Sequence, residues 1–231
     1  MHIQEETYKI LGQRLLSSFD SKELVDWAVW LLENGHESES SIILAGLDSN
    51  STEERERYFW QSISELKIDI VKTEVELIEY YAECIAEEVC KGNMKAANGL
   101  MIMQDVVSWT NYDSKYLQFF ELAEDIDYLK NYGGIIYNSG LNKENIDHFI
   151  QEEFELFLEI KRLNIDEEIR QKSICNDCGQ ISKPGLTTKY QLKKPHKYQA
   201  WICSNCGSEK VYHFSTHKGK RKIIDRTKNN P

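Results

Sequence analysis

Proline is scarce, with three residues in a chain of 231. Such a sequence has few obligatory helix breaks, and without a long Gly/Ser tract nothing in the first 170 residues reads as disordered linker. No apolar run approaches the roughly 18 to 20 residues that a membrane-spanning helix needs. The N-terminal Met1-His2-Ile3-Gln4-Glu5-Glu6 also lacks the basic-then-apolar pattern of a secretion signal. The expectation is a cytoplasmic protein, in which closely paired cysteines are read as metal ligands before disulfides.

Enzyme signatures are absent as well. There is no His-Glu-x-x-His, no Gly-x-Ser-x-Gly, no phosphate-binding glycine loop and no dinucleotide fingerprint. Carboxylate-bridged metal sites in helical bundles need two Glu-x-x-His pairs. Only Glu33-Asn34-Gly35-His36 has that spacing, and its Asn-Gly breaks a helix. The chain is therefore expected not to be an enzyme.

Acidic residues are few in one region only. Residues 171–231 hold 13 Lys+Arg against 3 Asp+Glu, while the first 170 hold 15 against 35. The net charge of −10 thus conceals an acidic body and a basic end. Either the two dock on each other, or each faces its own partner, basic for the first and anionic for the second.

The acidic part reads as helix after helix. Asp20-Ser21-Lys22-Glu23 forms a capping box ahead of Leu24, Ala28, Leu31 and Leu32, and Asn34-Gly35 closes that segment. A second box, Ser51-Thr52-Glu53-Glu54, precedes Phe59, Ile63 and Leu66. The clearest periodicity runs from about Asp69 to Lys91, where Val71, Val75, Ile78, Ala82, Ile85 and Val89 form a seam. Further helices are expected near 95–109, 115–131 and 143–164. A bundle of about six to eight helices over 1–168 is the natural architecture, and no repeat of 30 to 40 residues supports a solenoid.

After Ile169 the pattern changes to short β-prone runs: Leu186–Leu192, Tyr198–Ile202 and Val211–Phe214, with a Lys194-Pro195 turn between the first two. A small antiparallel sheet of about three strands fits them. The fold class expected is mainly α, with an α+β character overall, its β part being C-terminal. The last residues, 218–231, are polar, charged and without obvious periodicity, and are expected to form a basic, mobile tail.

The strongest motif lies in the β part. Cys175 and Cys178, then Cys203 and Cys206, make two Cys-x2-Cys pairs, with Gly179 and Gly207 following them. Two intervening residues let both sulfurs of a pair reach one cation, and glycine supplies the turn around it. Competing readings are an iron–sulfur cluster, which usually crowds its cysteines into one run, a redox dithiol, which sits at a helix start, and buried thiols. One structural zinc held by four thiolates is the expectation. His213 and His217 fit a finger with Cys203 and Cys206 poorly, because only six residues separate Cys206 from His213. Cys84 and Cys90, six apart on one helix, do not share a face and read as packed thiols.

These knuckles resemble the zinc-ribbon family over about residues 172–217. The resemblance implies a three-stranded sheet closed by the metal. Ribbons serve nucleic-acid binding, protein docking or plain stability, so the resemblance fixes the site and leaves the role open. In the helical part, Leu44-Ala45-Gly46-Leu47, the Glu53–Leu66 segment and Ile85-Ala86-Glu87-Glu88 through Gly92 resemble in order a group of uncharacterised bacterial helical proteins. Similar acidic helical proteins include inhibitors of secreted toxins, so an immunity-type role is one implication.

Lys193, Lys194 and Lys197, with Lys218, Lys220, Arg221 and Lys222, are candidate contacts to an anionic partner. Tyr190, Tyr198, Trp201, Tyr212 and Phe214 are interleaved among them. Lysines could neutralise phosphates while the rings stack on unpaired bases. Alternatively, the rings form the ribbon's core and the charges meet the acidic helices. Three functions follow as expectations. The first is a zinc-binding interaction or regulatory protein whose acidic domain binds a protein and whose ribbon stabilises or docks. The others are an immunity-type inhibitor of a basic toxin and a nucleic-acid-binding regulator acting through residues 171–231.

Overall fold

A computed structural model of the chain describes residues 2–47 and 52–229. The expected box at Ser51 lies partly outside them. Among the described residues the chain forms ten helices and five strands, so the mainly helical class with a small C-terminal antiparallel region holds. No helix among them is long and apolar enough to cross a membrane.

The chain divides into two compact units, Met1–Glu88 with Met101–Tyr116, and Val89–Leu100 with Leu117–Pro231. This division differs from the one expected at 168–172. The strands belong to one unit with the preceding helices, for reasons given below.

The first unit contains α1 (Ile3–Gln13), α2 (Lys22–Glu33), α3 (Glu39–Ala45), α4 (Thr52–Glu65), most of α5 (Glu74–Cys90) and most of α6 (Ala96–Trp109). Leu24, Ala28 and Leu31 of α2, spaced by four and three, are fully buried together with Leu44 and Phe59. The Trp27 and Phe59 rings meet edge to face at 4.8 Å. Glycine at position 12 permits a close approach, since a Cβ there would stand 2.5 Å from the Leu77 carbonyl oxygen.

Two local expectations change here. At the start of α2 the Lys22 amide is capped by Asp20 Oδ1 at 2.9 Å, whereas Ser21 Oγ turns to accept from buried Arg55 Nη1 at 2.7 Å. The long helix begins at Glu74 instead of Asp69 because Thr73 and Glu76 form a reciprocal cap. Thr73 N donates to Glu76 Oε2, and Glu76 N donates to Thr73 Oγ1. The seam is correspondingly shorter, with Val71 and Val75 exposed and Ile78, Ala82, Ile85 and Val89 buried.

The second unit contains α7 (Leu117–Tyr132), α8 (Ile146–Arg162), the single turn α9 (Glu167–Arg170), all the strands and α10 (His217–Asn229). Phe119 packs on Phe154 and Phe157, with ring centroids at 4.8 and 5.6 Å. Asp125, fully buried on α7, accepts the backbone amides of Ile136, Tyr137 and Asn138 and the Asn138 side-chain amide, which fixes the loop after Gly133-Gly134.

The β region is larger than three strands. Strand β1 (Ser173–Cys175) sits between β2 (Ile181–Ser182) and β5 (Val211–His213), antiparallel to both. A separate hairpin pairs β3 (Gly185–Tyr190) with β4 (Lys197–Ile202). The two extra strands are only two and three residues long, too short to show alternation in the sequence.

Of the expected mobile tail, residues 218–229 lie in helix α10, and 230 and 231 fall outside the described residues. Ile223 and Ile224 are buried against Leu156, Ile160, Ile165, Ile174 and Phe214, so α8, β1, β5 and α10 share one apolar cluster. Adjacent isoleucines amid lysines give a narrow apolar stripe, which a search for longer periodicity passes over. The turn into α10 requires Gly219, because a Cβ there would lie 1.9 Å from the His213 carbonyl oxygen.

Candidate metal centre

Cys175 ends β1 and Cys203 follows β4, so each is placed by a strand end, while Cys178 and Cys206 close the turns that follow. Each turn has the same construction. The amide of Gly179 donates to the Cys175 carbonyl at 2.9 Å, and that of Gly207 to the Cys203 carbonyl at 2.9 Å. Both glycines adopt left-handed backbone, with φ of 70° and 74°. The two turns are thus pseudo-equivalent, as two copies of one short motif should be.

The four sulfurs all lie within 4.8 Å of one another, with Cys175–Cys206 and Cys178–Cys203 Sγ separations of 3.6 Å. A tetrahedron of thiolates about 2.3 Å from a central ion has edges of about 3.8 Å, so the arrangement fits a four-coordinate metal ion. Cys175 and Cys203 are buried, whereas Cys178 and Cys206 face solvent. With four sulfurs supplying four positions, nothing is left open for water or substrate.

The thiols also interact. Hydrogen bonds from the Gln180 amide and from Asn205 lower Cys178 to about 6. The Ser208 amide pulls Cys206 the same way, but the neighbouring sulfurs, Cys178 first, push it up to about 12. These opposite shifts belong to one set of thiols in which an ionised sulfur opposes the next ionisation. A bound divalent cation removes that opposition, and ligating cysteines are deprotonated.

No family model matches this chain, and neither a curated protein nor a solved structure proves similar to it. The clustered cysteines stand on their geometry alone.

The other candidate residues disperse. His213 Nδ1 lies 2.8 Å from Ser215 Oγ, and His217 faces carboxylates, so neither joins the sulfurs. Burial pushes the Cys84 thiol up to about 11, in keeping with a packed thiol. Among the basic residues proposed to meet an anionic partner, Lys220 is not accessible, being buried with its Nζ bonded to Glu153 Oε1. Arg221 pairs with Glu152, Lys222 donates to Asn176 Oδ1 at 2.8 Å, and Lys218 lies 4.3 Å from the Tyr212 ring centroid. Lys193, Lys194 and Lys197 stand exposed on the hairpin.

The polar cluster that sequence reasoning missed lies between α8 and α10. Glu153 accepts from Lys220 and lies 2.8 Å from His217 Nδ1, while Glu152 Oε2 is 3.3 Å from His217 Nε2. Burial pulls the Lys220 amine down to about 7, against an opposing pull from Glu121. The signal available was the i, i+3, i+4 spacing of His217, Lys220 and Arg221 opposite adjacent glutamates, legible only once 217–229 is known to be helical.

Proposed function

We propose that this chain is a non-enzymatic interaction protein whose C-terminal part is folded by one structural zinc ion bound to Cys175, Cys178, Cys203 and Cys206. The observation that carries this reading is the closed set of four sulfurs within 4.8 Å. Tetrahedral four-thiolate sites suit zinc or iron, and the separation of the cysteines into two distant knuckles favours zinc over a cluster. A region this small gains much of its folding free energy from the ion. A non-enzymatic role is supported by the Glu153–His217–Lys220 group, whose members are turned on one another and buried.

The acidic helical part is the proposed protein-binding surface. Its excess of 35 acids over 15 bases in the first 170 residues favours a basic partner. Tyr132, Ile136 and Tyr137, exposed beside the Asp125-fixed loop, supply apolar anchors of the kind interfaces use.

Metal analysis of protein purified without added metal tests the site. One zinc per chain is expected, lost in Cys178→Ser and in Cys206→Ser; iron, or zinc retained by the double variant, overturns the assignment. Affinity capture from nuclease-treated lysate tests the partner. A protein retained by the wild type and lost with Tyr132→Ala/Tyr137→Ala is expected, and retention by that variant excludes this surface.

A further inference from the structure

The β3–β4 hairpin has two unequal faces. Register pairs Leu186 with Trp201, Thr188 with Gln199 and Tyr190 with Lys197, so these six side chains share one side. That side is open, with Trp201 57% and Tyr190 77% exposed. The opposite side carries Ala200, which is buried, and Lys189, which is paired with Glu209. At the tip come Leu192, Lys193 and Lys194, and Gln191 N donates to the His196 carbonyl at 2.9 Å.

The charge on this face is of one sign. From Cys178 to Ser208 there is no Asp or Glu. Lys193, Lys194 and Lys197 make no ion pair among the described residues, unlike Lys220, Arg221 and Lys228, which meet α8 carboxylates. The basic end is thus divided: α10 spends its charge on the fold, and the hairpin keeps its own.

We propose that the outward face of this hairpin binds single-stranded nucleic acid, with Tyr190 and Trp201 stacking on bases and Lys193, Lys194 and Lys197 meeting phosphates. Two exposed rings lie four residues apart along the ladder, about 13 Å, on the same face of the hairpin. Thr188 and Gln199 between them offer donors and acceptors to base edges or sugar hydroxyls. Stacking needs bases with open faces, which a duplex does not offer and a single strand does. An anionic membrane is the poorer match, since the apolar residues at the tip are only Leu192 and Pro195, set among Gln191, Lys193, Lys194 and His196. This inference deepens the interaction reading by naming a second partner, and it rests on the cysteine centre in one respect: Cys203 follows β4 directly and anchors the base of the hairpin.

The test is fluorescence anisotropy of labelled oligo(dT) and oligo(U), about 15 nucleotides long, titrated with full-length metal-replete protein between about 50 and 200 mM salt. Saturable binding that weakens with salt is expected. Trp201→Ala and Tyr190→Ala should each weaken it about tenfold, which stacking of one base accounts for. Substituting Lys193, Lys194 and Lys197 together by Gln should flatten the log–log salt slope by about 2. Absence of binding by the wild type at low salt, unaltered affinity in the aromatic variants, equal affinity for duplex, or tighter Trp201-dependent binding to phosphatidylserine vesicles would each overturn the proposal. Metal content measured on the same samples separates the two readings: a metal-replete protein that ignores oligonucleotides sinks this inference alone, and a metal-free one that binds them sinks the zinc reading alone.

Discussion

Lys220 Nζ donates to Glu153 Oε1 across the junction of α8 and α10, and each side chain retains no more than 3% of its exposure. Two opposite charges taken so completely from water hold together only as a pair. Removing one partner leaves the other buried without its closest counter-charge, Lys220 with the pull of Glu121 and Glu153 with His217 beside it. Glu153→Gln or Lys220→Met should therefore cost about 3–5 kcal/mol in urea unfolding, whereas Glu153→Leu with Lys220→Met should cost much less than the two singles combined. Additive losses would show that the pair is not coupled.

A pH dependence belongs to the same junction. Burial is the main influence on His217 and lowers its pKa below the ordinary 6.5; Glu152 opposes this and Arg221 reinforces it. Glu153 lies on the other ring nitrogen, and the Phe149 ring is 4.2 Å away. The unfolded chain therefore takes up its proton first as pH falls, so the contribution of His217 is complete above about 6.5 and declines below it. The unfolding free energy should drop between about pH 6.5 and 5.5, and His217→Gln should flatten that part of the profile. A wild-type protein that gains stability over this range would mean that the two glutamates favour the imidazolium.

Position 219 offers a steric test. Gly219→Ala puts a methyl group against the His213 backbone, which cannot yield as a side-chain end can. A loss of about 1–3 kcal/mol is expected, with faster amide exchange in α10. Gly46→Ala is the control, since the nearest atom to its added methyl is at 3.5 Å and the backbone is right-handed; it should be neutral within about 0.5 kcal/mol. Equal effects at the two positions would refute the steric account.

How much of this was legible in the sequence depends on how local each signal is. The seam from Ile78 to Val89 runs for about three turns and the α2 stripe from Leu24 to Leu31 for about two, and both are buried as their periodicity requires. The cysteines were legible because metal geometry constrains spacing directly, and the sulfurs converge without any long-range information beyond the knuckles. What escaped depends on partners far away in the chain. Asp125 is one acid among many until residues 136–138 return to it. Helix α10 looked unstructured because its stripe is only Ile223-Ile224, and His217, Lys220 and Arg221 gain meaning only opposite Glu152 and Glu153. The interleaved rings were also ambiguous: Phe214 went inward, while Tyr190 and Trp201 stayed out.

Both ends of the cysteine-bearing segment are tied into the same apolar cluster, through Ile174 on one side and Phe214, Ile223 and Ile224 on the other. The segment is therefore a loop excursion from a helical body rather than an appendage strung after it. A protein shortened at 170 or at 216 would lose a wall of its own interior, and what such a fragment failed to do would report exposed Leu156 and Ile160 instead of a missing activity. For this region, roles are to be assigned by single side chains in the intact molecule, because α8, β1 and α10 share one interior and cannot be cut apart without unmaking one another.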